Sequence, residues 1–112
     1  MSSLDNLMNL HGAAAAFEFS DSGELTNQRI SDDSELTTDS LDLLAHVFVV
    51  NIAIATMQAR GWEKTTGQGG FYPVQGFTLI GLEWSAVGNG HRGVVLRNND
   101  CDFEAAYAVL DS

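Results

Sequence analysis

A single cysteine, a single proline and only five Lys and Arg stand in 112 residues. The lone thiol, Cys101, excludes an internal disulfide framework. The five bases face fifteen Asp and Glu, for a formal charge of −10. That sign opposes the counterion release that drives nucleic-acid binding, so DNA, RNA and anionic membranes are not expected partners. The first twelve residues carry an acid and no basic stretch, which does not read as a secretory signal; the simplest expected location is cytoplasmic. Apolar residues, by contrast, are plentiful: 45% of the chain, with a mean hydropathy near zero (−0.01). This is enough for one packed core at 12.1 kDa and too little for two, so residues 1–112 are expected to form a single domain. Charge is uneven as well, since residues 1–46 hold nine acids and only Arg29.

Hydrophobic spacing sets out an order of elements. Leu4, Leu7 and Met8 recur at helical spacing behind a Ser, predicting a short first helix that Gly12 ends. Residues 13–19 alternate into Phe17 and Phe19 as a strand, Asp21-Ser22-Gly23 reads as a turn, and residues 24–30 read as the return strand. Capping residues at 31–40 introduce a long helix over 41–59. Strands follow at 77–80, 84–87 and 94–96, the last two joined by Asn89-Gly90, a hairpin signal. Asn99 or Asp100 is expected to cap a closing helix over 102–110.

The long helix is the most informative segment. Its polar residues form narrow stripes, leaving one apolar side with Leu43, Val47, Val50 and Ile54 and another with Leu44, Phe48, Ile52, Ala55 and Ala59. One sheet covers one side, so the second side predicts another subunit. We assign most of Val47, Val50 and Ile54 to the core, with Leu7, Phe17, Phe103 and Tyr107. Leu44, Phe48, Ile52, Ala55 and Ala59 are assigned to a homodimer interface. A nineteen-residue apolar run also has about the length of a membrane span, but Asp42, His46 and Asn51 within it and the lack of flanking bases argue against one.

No motif points to a reaction. Gly88-Asn89-Gly90-His91-Arg92-Gly93 fits G-x-G-x-x-G, yet Gly93 leads into a strand, where dinucleotide binding needs a helix. His11, His46 and His91 lack the spacing of a local metal pair, and His46 with Asp42 reads as an i, i+4 contact. Cys101 near a helix start favours thiolate, while Asp100 and Asp102 oppose it. No catalytic residue, metal or cofactor is therefore assigned. Trp62, Phe71 and Tyr72 form a candidate partner patch around a Thr/Gly-rich loop.

The opening, with Leu4, Leu7, Met8, Leu10, Gly12 and Ala13 to Ala16, then Phe17, Phe19, Asp21, Gly23 and Leu25, resembles the roadblock/dynein light-chain class over nearly the whole chain. It is most similar to an uncharacterised prokaryotic branch carrying a Pro-x-x-Gly (Pro73 to Gly76) and a Gly-Asn-x-x-Arg-Gly-Val turn (Gly88 to Val94). The resemblance implies a profilin-like α/β sandwich, α-β-β-α-β-β-β-α around one five-stranded antiparallel sheet, with the long helix on one face and both terminal helices on the other. It also implies dimerisation through the long helix, and service as a non-enzymatic scaffold or regulator of small GTPases. The departure from the class is the stretch 61–75. Two alternatives stand beside that expectation: a small-ligand sensor holding its ligand between sheet and helix, and a thiol or sulfur carrier using Cys101.

Overall fold

The computed structural model describes residues 3–74, 76–99 and 101–111. Its elements follow the expected order: α1 (Ser3–Met8), β1 (Ala13–Phe19), β2 (Leu25–Ile30), α2 (Thr38–Thr66), β3 (Phe77–Ile80), β4 (Trp84–Asn89), β5 (Arg92–Arg97) and α3 (Phe103–Leu110). The five strands form one antiparallel sheet in the order β2-β1-β5-β4-β3. Leu41, Ala45 and Phe48 of α2 pack on one face with Phe17, Phe19, Ala86 and Val95. Leu4 and Leu7 of α1, with Ala106 and Leu110 of α3, pack on the other with Val87, Val94 and Leu96. The inner strands β1, β4 and β5 are therefore covered on both faces and show continuous buried runs, as sheets covered on both sides do. A bulge between Ala13 and Ala15 shifts the β1–β5 register, so Ala14 and Ala15 both join the α2 side.

Glycines decide how close α2 comes. Gly88 and Gly93 pair across β4 and β5, and a Cβ on Gly88 would stand 2.3 Å from Phe48 Cε2. A Cβ on Gly93 would stand 2.6 Å from Phe17 Cζ and 2.7 Å from Phe48 Cε2. The missing side chains thus form a hollow for two aromatic rings, which lie 5.5 Å apart between centroids. Two of the three glycines of the G-x-G-x-x-G pattern are packing residues, and the third, Gly90, supplies the left-handed turn conformation at φ 65°. Because Asn89 pairs with Arg92, the turn residues are Gly90 and His91, one position later than the Asn-Gly signal suggests.

The long helix exceeds its expected bounds at both ends. Thr37 caps it by accepting from Ser40 N–H, and Gly67 ends it with φ 72° and its N–H donating to Glu63 O at 2.8 Å. Gly61 is tolerated inside the helix at a cost of about 1 kcal/mol. The closing helix is capped by Asp102, which accepts from Ala105 N–H, and not by Asn99; Asp100 lies outside the described residues. By length and composition alone α2 passes for a membrane span. Here it lies along the sheet with Leu41, Ala45, Phe48 and Ala59 buried.

The two sides of α2 are the reverse of the expectation. Phe48 is fully buried and Ala59 is 3% exposed, while Leu44, Ile52 and Ala55 are half-buried. Those residues face the sheet and do not form an outward interface. Val50 and Ile54, assigned to the core, are 56% and 49% exposed, Leu43 is also exposed, and Val47 is half-buried. The physical reason is shape: the sheet offers a glycine hollow that takes one flat ring flanked by alanines, and a row of branched aliphatics would hold the helix too far away. Leu7 and Phe17 are fully buried as expected, and Phe103 and Tyr107 are half-buried.

Candidate interaction surfaces

Two apolar surfaces emerge from this arrangement. The first is the outward row of α2, on which Leu43, Val50, Ile54 and Met57 are exposed, Met57 at 73%. They follow one another at helical spacing, so they form a single stripe. Next to it runs β3, the edge strand, whose only strand neighbour among the described residues is β4. Its Leu79 and Ile80 are exposed, and Leu82 in the following turn is almost wholly so. A cleft of about 320 Å³ joins stripe and edge, lined in part by Leu43, Leu44, Leu79 and Trp84. The opposite edge, β2, differs in chemistry, since its exposed residues are Thr26, Asn27 and Arg29.

The second surface lies at the C-terminal end of α2. Trp62 and Phe71 meet edge to face with ring centroids 5.4 Å apart. Arg60 places its guanidinium 4.6 Å from the Tyr72 ring centroid and donates to Tyr72 Oη at 2.8 Å. The expected cluster of Trp62, Phe71 and Tyr72 is therefore assembled, with Arg60 as a member that spacing did not reveal, and all three aromatics are exposed. Residues after Gly67 turn back beneath the helix and, with it, enclose a groove of about 630 Å³ walled by Ala55, Ala59, Trp62, Phe71, Pro73 and Val74. The loop's exit is fixed on α3: a Cβ on Gly76 would lie 2.4 Å from Tyr107 Cε1, and Tyr107 Oη bonds Thr78 Oγ1 at 2.6 Å.

The titratable residues are dispersed. His46 Nδ1 lies 2.8 Å from Asp42 O and 3.8 Å from Asp42 Oδ2, and His91 Nε2 bonds Asp21 Oδ1, tying the β4–β5 turn to the β1–β2 turn. Cys101 is half-buried, with Sγ 3.5 Å from Asn98 O. Among the described residues, no three His, Cys, Asp or Glu side chains converge as metal ligands would. The Asp33 carboxyl is shifted. The Ser31 hydroxyl hydrogen bond, and then the Arg97 guanidinium at 2.9 Å, hold it below the usual carboxylate value.

The fold is that of roadblock proteins. Over 97% of this chain it superposes on 85% of an MglB with tetrameric arrangement, with TM-score 0.68 and 17% identity. It matches the gliding protein MglB of Thermus thermophilus at TM-score 0.67 and 17% identity, over 97% of this chain and 86% of that one. A Roadblock/LC7 domain from Streptomyces avermitilis gives TM-score 0.67 and 14% identity, over 97% and 86%. No curated protein matches the sequence. The chain belongs to the family described as uncharacterized conserved protein DUF2173, whose pattern it matches over residues 3–112.

Proposed function

We propose that the protein is a dimeric scaffold or regulatory module that works by protein contact and carries no catalytic centre of its own. The observation behind this reading is the apolar stripe of α2 lying beside the bare edge of β3. Four large aliphatic side chains in a row, continuous with Leu79, make a surface that soluble chains do not leave in water. An unpaired edge strand carrying Leu79 and Ile80 without a charge to blunt it invites pairing. A second copy related by a two-fold axis covers both at once, because a self-complementary patch needs the same surface from each subunit. The interface therefore uses Leu43, Val50, Ile54 and Met57 in place of Phe48 and Ala59.

The roadblock fold supports a regulatory role toward a small GTPase, a role that scaffold proteins of this class serve. At identities below 20% the likeness speaks for the fold, so the partner remains part of our proposal. The test is mass in solution. Light scattering of the wild type is expected to give a dimer, and Val50→Asp a folded monomer with unchanged circular dichroism. A wild type that stays monomeric at high concentration would remove the dimer from this reading.

A further inference from the structure

We propose that the groove beneath the C-terminal half of α2 receives Leu82 of a second copy of this chain, so that each subunit of the dimer plugs the other's groove with a residue of its β3–β4 turn. The inference rests on the two-fold dimer proposed above and adds to it a second contact, away from the axis. Leu82 is 96% exposed, more than any other large apolar side chain among the described residues. The turn that carries it is nonetheless held fast. Gly81 N–H donates to Trp84 O at 2.8 Å, Asn98 N–H to Glu83 O at 3.0 Å and Asn98 Nδ2 to Gly81 O at 2.8 Å, while Ser85 Oγ donates to Asn98 Oδ1 at 2.6 Å. Backbone groups on both sides of Leu82 are thus satisfied within the chain, and the leucine stands in water on a pinned turn. Such a knob is already ordered, so its burial costs little backbone entropy.

The matching hole lies at the other end of the same strand. The groove, of about 630 Å³, has the small residues Ala55 and Ala59 on its helix wall and Val74 and Gly76 on its loop wall, and Gly76 directly precedes β3. Within one chain Leu82 stands beyond the far end of β3, about 20 Å from Gly76 along an extended strand, so it does not reach its own groove. A two-fold axis through the β3 edge runs the two copies of the strand antiparallel and so reverses its ends. Pairing centred between Thr78 and Leu79, the middle of β3, sets Leu82 of each copy level with Val74 and Gly76 of the other. The groove also opens on the required side. At about 100° per residue, Ala55, Gln58, Ala59 and Trp62 share the flank of α2 that carries Ser40 and Leu44, and those two line the cleft beside β3. Knob and hole at opposite ends of one edge therefore meet twice in a two-fold pair, and one leucine per chain closes both grooves.

Cross-linking separates this contact from the dimer itself. In a Cys101→Ser background, Leu79→Cys lies next to the axis and should link to itself through a short bismaleimide, which reports the dimer alone. Leu82→Cys and Val74→Cys should each fail to self-link, since the two copies of either residue stand roughly 20 Å or more apart across the axis. Mixing these two variants and letting subunits exchange should give a covalent heterodimer. Leu82→Ser should raise the dimer dissociation constant at least about tenfold and leave the melting temperature of the monomeric Val50→Asp background unchanged. Ala55→Leu, which fills the groove from the helix, should weaken the dimer as well, and the double variant should be no weaker than the worse single one. Self-linking at Leu79→Cys without the mixed link, a dissociation constant indifferent to Leu82→Ser, or full additivity of Leu82→Ser and Ala55→Leu would each overturn the plug and leave the dimer standing. A wild type that stays monomeric at high concentration would remove both.

Discussion

The two sides of α2 are about equally apolar and could hardly be used more differently. Toward the sheet it presents Leu41, Ala45, Phe48 and Ala59, a ring among small residues, and Phe48 enters the hollow at Gly88 and Gly93. Away from the sheet it presents Leu43, Val50, Ile54 and Met57, all large and all exposed. The difference shows that hydrophobicity alone does not choose the buried side of a helix. Complementarity does: small residues admit close approach, and a single large one must find a matching void. The branched row has no such void in its own chain and needs a surface of its own kind.

The sharpest way to break this comparison is to truncate one residue from each side. Phe48→Ala should cost about 3–5 kcal/mol in urea unfolding, as the loss of a fully buried ring does. Ile54→Ala, made in the monomeric Val50→Asp background, should cost under about 1 kcal/mol. Equal losses would mean that the two sides are not distinct. The hollow itself is probed from the sheet: Gly88→Ala places a methyl against Phe48 and should cost about 1–3 kcal/mol. Pairing it with Phe48→Leu should return part of that loss, and a purely additive double variant would show that the ring and the glycine are not in contact.

Smaller effects sharpen the outward side. Ile80→Lys on the edge of β3 should weaken self-association in dilution experiments while leaving the melting temperature of the monomeric background within a few degrees. Salt should strengthen association modestly, since two chains of charge −10 repel and counterions screen that repulsion. Weakening on salt addition would instead identify ion pairs across the subunits. The smallest effect belongs to Asp33, which is exposed. Its folded-state value is lowered, so its contribution to stability is present above the unfolded value and fades as pH falls through the folded one. In a carboxyl NMR titration, Ser31→Ala and Arg97→Gln should each raise the Asp33 midpoint, because the hydroxyl bond and the guanidinium both hold it down.

Local chemistry made the element order readable. Turn residues at 21–23 and 89–90, the capping residues before α2 and the two periodicities mark each element within a few residues, except for the end of α2. The side of α2 that meets the sheet was not readable from periodicity, since both sides satisfy it; the alanines at 45, 55 and 59 beside Phe48 were the available signal. The end of α2 was obscured by Gly61, whose breaking tendency is outweighed by continuation to the Gly67 cap. The aromatic patch was visible as composition. Its groove was not, because Ala55 and Ala59 meet Phe71 and Pro73 only after the chain has reversed direction.

The spatial order of the strands also bears on how the chain is made. β1 is an inner strand of the sheet, yet its partner β5 is synthesised more than sixty residues later, with Ala16 opposite Val94 and Phe17 opposite Gly93. Until then the β1–β2 hairpin exposes the edge destined for β5. Alanine has a weak preference for strands, and Ala13 to Ala16 occupy more than half of that waiting edge. The small residues that admit a close-packed partner in the finished sheet therefore leave the nascent hairpin with little to offer a wrong one. The final β1–β5 seam then joins two halves of the chain that α2 has kept tethered throughout.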